Sequence, residues 1–304
     1  MARKVTLSHK IEYVLTRLAG FFLSVVPLKS ALIGGALLGR IAWFLGVRRR
    51  VSRINISTAF PEKTSREVNR IGSASYANNG RFMVEFIRQG RMGKKYFMKY
   101  IAVEKTEALD KMLSYPTGVV GLTFHFGNWE YYGVSNAFLD KEISFLVGKQ
   151  RNSLVDGYIN RLRSSHGAKL LTRDVSMRGI IRISRRGGIV CWLSDQSAGK
   201  NGLVVDFFGQ PASTPRGAAA FSVKLNMPIT CGFMVREKGP YQRFVVKEFL
   251  MPNKDLPKHE AEVELTQRYT KVLEEMIKER PDLYWWSHRR WKRTTGIYSR
   301  QGQQ

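Results

Sequence analysis

Beyond residue 60 the chain alternates amphipathic helical segments with short apolar runs, and this predicts an α/β layered domain: a mixed, largely parallel sheet flanked by helices. Three apolar runs, at residues 119–124, 143–147 and 189–193, have the length and β-branched content of buried strands. Helical patterns at 154–165, 176–186 and 216–226 lie between or after them, and the helix before them, at 65–90, carries Tyr76, Phe82, Met83 and Phe86 on one face. Two further strands, at 229–235 and 243–249, precede a charged helix at 259–279. No linker, repeat or low-complexity segment divides this region, so residues 59–304 are expected to form one domain.

Residues 1–58 read differently. The first 60 residues hold ten basic residues and one acid, Glu12, among apolar runs at 18–28, 30–39 and 41–47. No uncharged run reaches the roughly 18 residues of a confident spanning helix. Arg48, Arg49, Arg50 and Arg53 follow directly, so the segment is expected to lie at or dip into a bilayer, with a basic collar on its anionic face. A single tilted span and a hairpin buried against the domain, broken at Pro27, are the alternatives; membrane attachment is favoured, because a hairpin this apolar needs a large surface to cover it.

The 304 residues carry a formal net charge of +26, with 43% hydrophobic and 12% aromatic residues. The composition excludes a disordered chain and a polytopic membrane protein, and the charge calls for an anionic partner. Cys191 and Cys231 stand alone in apolar contexts, which excludes a disulfide framework or a CxxC site. GxGxxG, GxxxxGK[ST], GxSxG and HExxH are all absent, and the five histidines lack ligand spacing, so no metal or cofactor is expected.

One segment carries chemistry. The strand at 119–124 ends beside His125, followed by Phe-Gly-Asn-Trp-Glu130, so His125 stands at the carboxyl end of a strand, where open α/β sheets bind their ligands. With a helix starting at Trp129, Glu130 in its first turn is placed to fold back on the imidazole, fixing its tautomer and stabilising the imidazolium formed when the ring takes a proton. A strand-end histidine beside an ordinary helix N-terminal carboxylate is the plainer alternative. No serine or cysteine nucleophile is near in sequence, which suits direct attack by a substrate hydroxyl.

His125-x4-Glu130 resembles the HX4D/E motif of the lysophospholipid acyltransferase superfamily, and the chain as a whole resembles the lipid A biosynthesis (lauroyl/myristoyl) acyltransferases within it. The likeness runs through Arg48–Arg53, Asn55, Phe60-Pro61-Glu62, the 125–130 motif, Arg151, Arg161-Leu-Arg163, Asp195-Gln196, Phe207-Phe208-Gly209 and the terminal Trp285-Trp286-Ser287-His288-Arg289-Arg290-Trp291. It implies a glycerol-3-phosphate acyltransferase-like domain that moves a fatty acyl chain from an acyl carrier protein thioester, or acyl-CoA, to a hydroxyl of a phosphorylated glycolipid, with no acyl-enzyme intermediate. His125 would be the general base and Glu130 its orienting partner, with Asn128, Arg151, Arg161, Arg163, Asp195 and Gln196 as substrate-binding candidates. It also implies the cytoplasmic face of a bacterial inner membrane.

From the residues alone, Arg161 and Arg163 also read as a solvated helix face, and Asp195 as the structural partner of an arginine. The tail Trp285, Trp286 and Trp291 suits either a membrane interface or packing on the domain. Residues 149–188 hold ten basic residues and two acids, Asp156 and Asp174, which suits a phosphorylated headgroup or an acidic carrier protein. Nucleic acid is disfavoured as a partner, because the aromatics accompany apolar runs and do not interleave with the basic patch as a stacking platform. The acceptor stays open between a lipid A precursor, a lysophospholipid and another glycolipid; a non-enzymatic protein binding anionic membranes or nucleic acid is the reading from a different class.

Overall fold

The computed structural model describes residues 5–135, 139, 141–172 and 177–300. Two helices open the chain: α1 (Leu7–Val25), capped by the Thr6 hydroxyl, and α2 (Leu28–Phe44), with Pro27 at the break between them. A left-handed turn through Gly46 and Arg48 leads into α3 (Arg49–Ala59). The long helix α4 (Ser65–Arg88) begins in a capping box, where Thr64 and Glu67 satisfy each other's backbone amides.

Among the described residues nine strands form: β1 (Ile101–Val103), β2 (Val119–Thr123), β3 (Ile143–Val147), β4 (Lys169–Thr172), β5 (Ile189–Leu193), β6 (Leu203–Phe207), β7 (Gln210–Thr214), β8 (Ile229–Arg236) and β9 (Gln242–Leu250). Seven of them form one sheet in the order β1-β9-β8-β2-β5-β3-β4. Only β8 and β9 pair antiparallel; the other pairings are parallel, so the sheet is mixed and largely parallel as the sequence predicts. β6 and β7 form a separate hairpin.

Both faces of the sheet are covered, which is why its central strands read as unbroken apolar runs. Val120, Leu122, Val190, Trp192, Ile229 and Cys231 point into one cluster, shared with the helix Lys258–Glu279 and with Ile56 of α3. Val119, Ile143, Phe145, Ile189 and Cys191 point into the other, with Phe97, Leu109 and the Tyr131–Tyr132 pair.

The helices at Ser153–Ser164 and Gly217–Leu225 match their sequence patterns within a residue or two. The helix expected from 176 is seen as Met177–Arg185; Ser176 and Asp174 lie outside the described residues. The helix expected from Trp129 is a short 3-10 helix, Trp129–Val134, and residues 136–138 lie outside the described residues. Met83, expected on the apolar face of α4, is exposed, whereas Tyr76, Phe82 and Phe86 are buried.

The N-terminal helices are partly covered. α2 lays Ala31, Leu32, Gly35, Ala36 and Trp43 against α4 and turns Ile33, Leu37, Leu38, Ile41 and Phe44 outward. The contact with α4 is backbone on backbone: a Cβ at Gly39 would strike the Tyr76 carbonyl, and one at Gly80 would strike that of Gly35. α1 exposes apolar side chains around most of its circumference, from Leu7 through Phe22 to Val25. No single described helix is long and apolar enough to cross a membrane; α2 and α3 meet that criterion only together, bent by 91°. The apolar face of α3 is buried on the domain, so the division expected after residue 58 falls inside a helix packed in the main core.

Candidate active site

The register of the sheet assembles the site. β2 and β5 are parallel neighbours with Thr123 opposite Leu193, and His125 and Asp195 each lie two residues beyond that pair. The two side chains therefore emerge together at the carboxyl edge of the sheet. Asp195 Oδ1 is 2.7 Å from His125 Nδ1, and Oδ2 accepts the His125 backbone amide at 3.0 Å. The carboxylate is almost wholly buried, and the imidazole keeps 18% of its side-chain surface open. Burial alone would raise the Asp195 pKa; the charge of His125, both hydrogen bonds from it and the charge of Arg290 outweigh burial and hold the carboxyl below its ordinary value. A buried carboxylate on Nδ1 leaves Nε2 as the ring's outer nitrogen, and there it meets the Gln196 amide nitrogen at 3.1 Å.

Glu130 does not orient the imidazole, and here the structure corrects the sequence reading. Its carboxylate takes a two-pronged ion pair from Arg163 on the helix Ser153–Ser164, at 2.9 Å from Nε and 2.6 Å from Nη2. The 3-10 helix that begins at Trp129 turns Glu130 away from His125 and ties this segment to the neighbouring helix. Arg163 is thereby occupied by protein, and it is neither a solvated helix residue nor an open ligand contact.

The turn between His125 and Trp129 is built by close backbone approach. Gly127 adopts φ +60°, and a Cβ there would overlap the Met234 carbonyl, so only glycine fits. Its amide donates to the Leu283 carbonyl at 2.9 Å, while the Trp285 amide donates to the His125 carbonyl at 2.9 Å. Beneath the turn, Asn128 is fully buried and donates to Glu85, which is itself clamped by Arg236. Asn128 thus supports the turn from below, with no surface exposed.

The remaining candidates lie further off. Arg151 is exposed and lines a cavity of about 300 Å³ with Ser8, His9, Glu12 and Asn152, between α1 and the start of the helix Ser153–Ser164. Arg161 is exposed on that helix, on the side away from the Glu130–Arg163 pair. Among the described residues no cluster of three or more His, Cys, Asp or Glu side chains could hold a metal ion. Both cysteines are free and buried.

Sequence reasoning missed the part played by the C-terminal segment. Trp286 and Trp291 are fully buried in the core, which resolves the tail in favour of packing, whereas Trp285 is only half-buried beside the site. Trp129, 5.0 Å from the His125 ring, stacks on Phe82 at 4.0 Å and meets Trp285 edge-on at 5.5 Å. With Phe86, Leu162, Tyr158 and Ile159 these rings make an apolar wall beside the imidazole. His288 accepts the Ser197 amide through Nε2 at 3.1 Å; burial, helped by the nearby positive charges, pushes its pKa down to about 4, so it is neutral near pH 7. Arg290 is buried and donates to the Ser213 carbonyl and the Thr214 hydroxyl.

A histidine held by a buried aspartate at the carboxyl ends of adjacent parallel strands, walled by aromatic rings, is a geometry suited to proton transfer beside an apolar surface in an α/β protein. Residues 1–293 match the bacterial lipid A biosynthesis acyltransferases, and the chain belongs to that family. It is similar to the lipid A biosynthesis palmitoleoyltransferase of Escherichia coli (strain K12), 24% identical over 253 residues that cover 82% of this chain and 80% of the relative. The lipid A biosynthesis myristoyltransferase of the same organism is 25% identical over 59% of this chain and 56% of its own. A phosphatidylinositol mannoside acyltransferase of Mycobacterium tuberculosis (strain CDC 1551 / Oshkosh) is 26% identical over 55% of both chains. The protein is therefore an acyltransferase, which removes the non-enzymatic reading.

Proposed function

We propose that this protein is a membrane-associated O-acyltransferase that moves a fatty acyl chain from an acyl carrier protein thioester to a hydroxyl of a lipid A precursor. The observation that carries this reading is the 2.7 Å bond between His125 Nδ1 and buried Asp195, with Nε2 on the open side of the ring. The acceptor hydroxyl replaces the Gln196 amide at Nε2 and gives up its proton there as its oxygen attacks the thioester carbonyl. Asp195 stays ionised and stabilises the imidazolium. Collapse of the tetrahedral intermediate breaks the C–S bond, and His125 returns the proton to the departing thiolate. The ester and the free thiol balance the reaction. The acyl chain lies along the Phe82, Trp129 and Trp285 wall.

Membrane association rests on the uncovered apolar side chains of α1 and α2, where Phe44 is 79% and Leu7 74% exposed, next to the cationic run from Arg48. In this reading the reaction takes place on the cytoplasmic face of a bacterial inner membrane, as the family resemblance implies. The likeness to a phosphatidylinositol mannoside acyltransferase favours a second reading, in which the acceptor is another glycolipid or a lysophospholipid.

The test is acyl transfer by the purified full chain from acyl carrier protein and coenzyme A thioesters to a lipid A precursor, a phosphorylated mannolipid and a lysophospholipid, followed by mass spectrometry. A new ester on the lipid A precursor, lost in His125→Ala by several orders of magnitude in turnover, is expected. Full activity in His125→Ala, or no transfer to any lipid hydroxyl, contradicts it.

A further inference from the structure

Beside the site lies a cavity of about 600 Å³ lined by Arg48, Ser197, Ala198, Gly199, His288, Arg289, Lys292 and Arg293. Four of these residues are permanent cations and none is an acid. Among the described residues none of the four forms an ion pair with a carboxylate: Arg48 donates to the Ser287 carbonyl at 3.1 Å, and Arg289 lies over the Tyr298 ring at 5.9 Å. Four like charges around one concavity repel one another, and an anion within it lowers that repulsion.

We propose that this cavity binds a phosphate ester of one of the two substrates while His125 acts on the other end of the complex. The inference rests on the acyl-transfer reading and deepens it. The lining favours phosphate in particular. Guanidinium groups match phosphate oxygens in pairs, and three of the four cations are arginines. His288 adds no charge near pH 7; its Nε2 is taken by the Ser197 amide, so it is a fixed wall and not an anion ligand.

The cavity is also joined to the catalytic pair by short chain. Gln196 touches His125 Nε2, and the next residue, Ser197, lines the cavity. Trp285 bonds the His125 carbonyl, and His288, three residues on, lines it too. Arg48 follows directly on Phe44, Leu45 and Val47, all strongly exposed, so the cavity opens at the edge of the apolar surface, where a lipid headgroup sits.

The same chemistry has two sources: a phosphate on the acceptor headgroup, or the phosphodiester of the donor's phosphopantetheine arm. The test compares the full chain with an R289Q/K292Q/R293Q variant, in which all three side chains are exposed. The control is K224Q/K254Q/K258Q, which removes the same charge at a different cavity. Calorimetric titration with inorganic pyrophosphate at constant ionic strength is expected to show saturable binding in wild type and control, weakened by about tenfold or more in the cavity variant. In turnover, the cavity variant raises one KM with kcat little changed. A rise for the phosphorylated acceptor, absent after phosphatase treatment, assigns the headgroup. A rise for acyl carrier protein thioesters, absent for acyl-N-acetylcysteamine, assigns the donor. Equal pyrophosphate affinity in all three proteins, or unchanged KM values for both substrates, overturns the proposal. If the wild-type chain moves no acyl group, the acyl-transfer reading fails, and the pyrophosphate titration alone still decides whether the cavity is an anion site.

Discussion

His125 is served by a carboxylate on the neighbouring strand, and the carboxylate of its own motif serves an arginine instead. The difference is one of geometry. The 3-10 helix from Trp129 points Glu130 at Arg163, while the shared register of β2 and β5 brings Asp195 under Nδ1. Glu130 and Arg163 are largely buried, at 8% and 19% of their side-chain surface, so the pair holds structure. Glu130→Gln leaves a largely buried guanidinium without its counter-charge, at a cost of about 2 kcal/mol. Urea denaturation should show the midpoint moved down with the slope unchanged; an unmoved midpoint would mean that the pair contributes nothing.

At the scale of elements, much was legible and the gaps have physical causes. β2, β3 and β5 were readable because strands buried on both faces are continuous apolar runs, and Pro27 marked the break between α1 and α2. β1 and β4 were not, since they are three- and four-residue edge strands whose pairing depends on distant partners. The β6–β7 hairpin escaped notice because its turn holds Phe208 at φ +54° before Gly209, and phenylalanine is no signal for that conformation. His125 was placed correctly at a strand end from local pattern alone. Its partner was not, because choosing Asp195 over Glu130 requires knowing which strands are neighbours and in what register. Gln196, a substrate-binding candidate by the resemblance, lies against the imidazole. The tail tryptophans could not be sorted from sequence, since Trp285, Trp286 and Trp291 sit in one cationic stretch yet differ in burial. Nor did the sequence show that Arg48 and the tail cations share a cavity.

For the whole molecule, the +26 charge and the uncovered apolar side chains of α1 and α2 are what the proposed membrane association draws on: docking on an anionic surface by charge and holding to it by apolar insertion. Binding to vesicles containing anionic lipid should therefore weaken as salt shortens the screening length from about 10 Å at 0.1 M to about 3 Å at 1 M. A residue of binding should persist at high salt and disappear in Phe44→Asp/Leu45→Asp. Co-sedimentation reads both, and salt-independent binding untouched by the double variant would contradict this description. The central claim is that the sheet register, and not the local motif, supplies the partner of the catalytic base. Single-turnover acyl transfer measured in parallel for Asp195→Asn and Glu130→Gln tests it most directly. His–Asp catalysis predicts a loss on the order of 10³–10⁴-fold in Asp195→Asn and a loss within about tenfold in folded Glu130→Gln. The opposite order, with Asp195→Asn near wild type and Glu130→Gln inactive though folded, would contradict it.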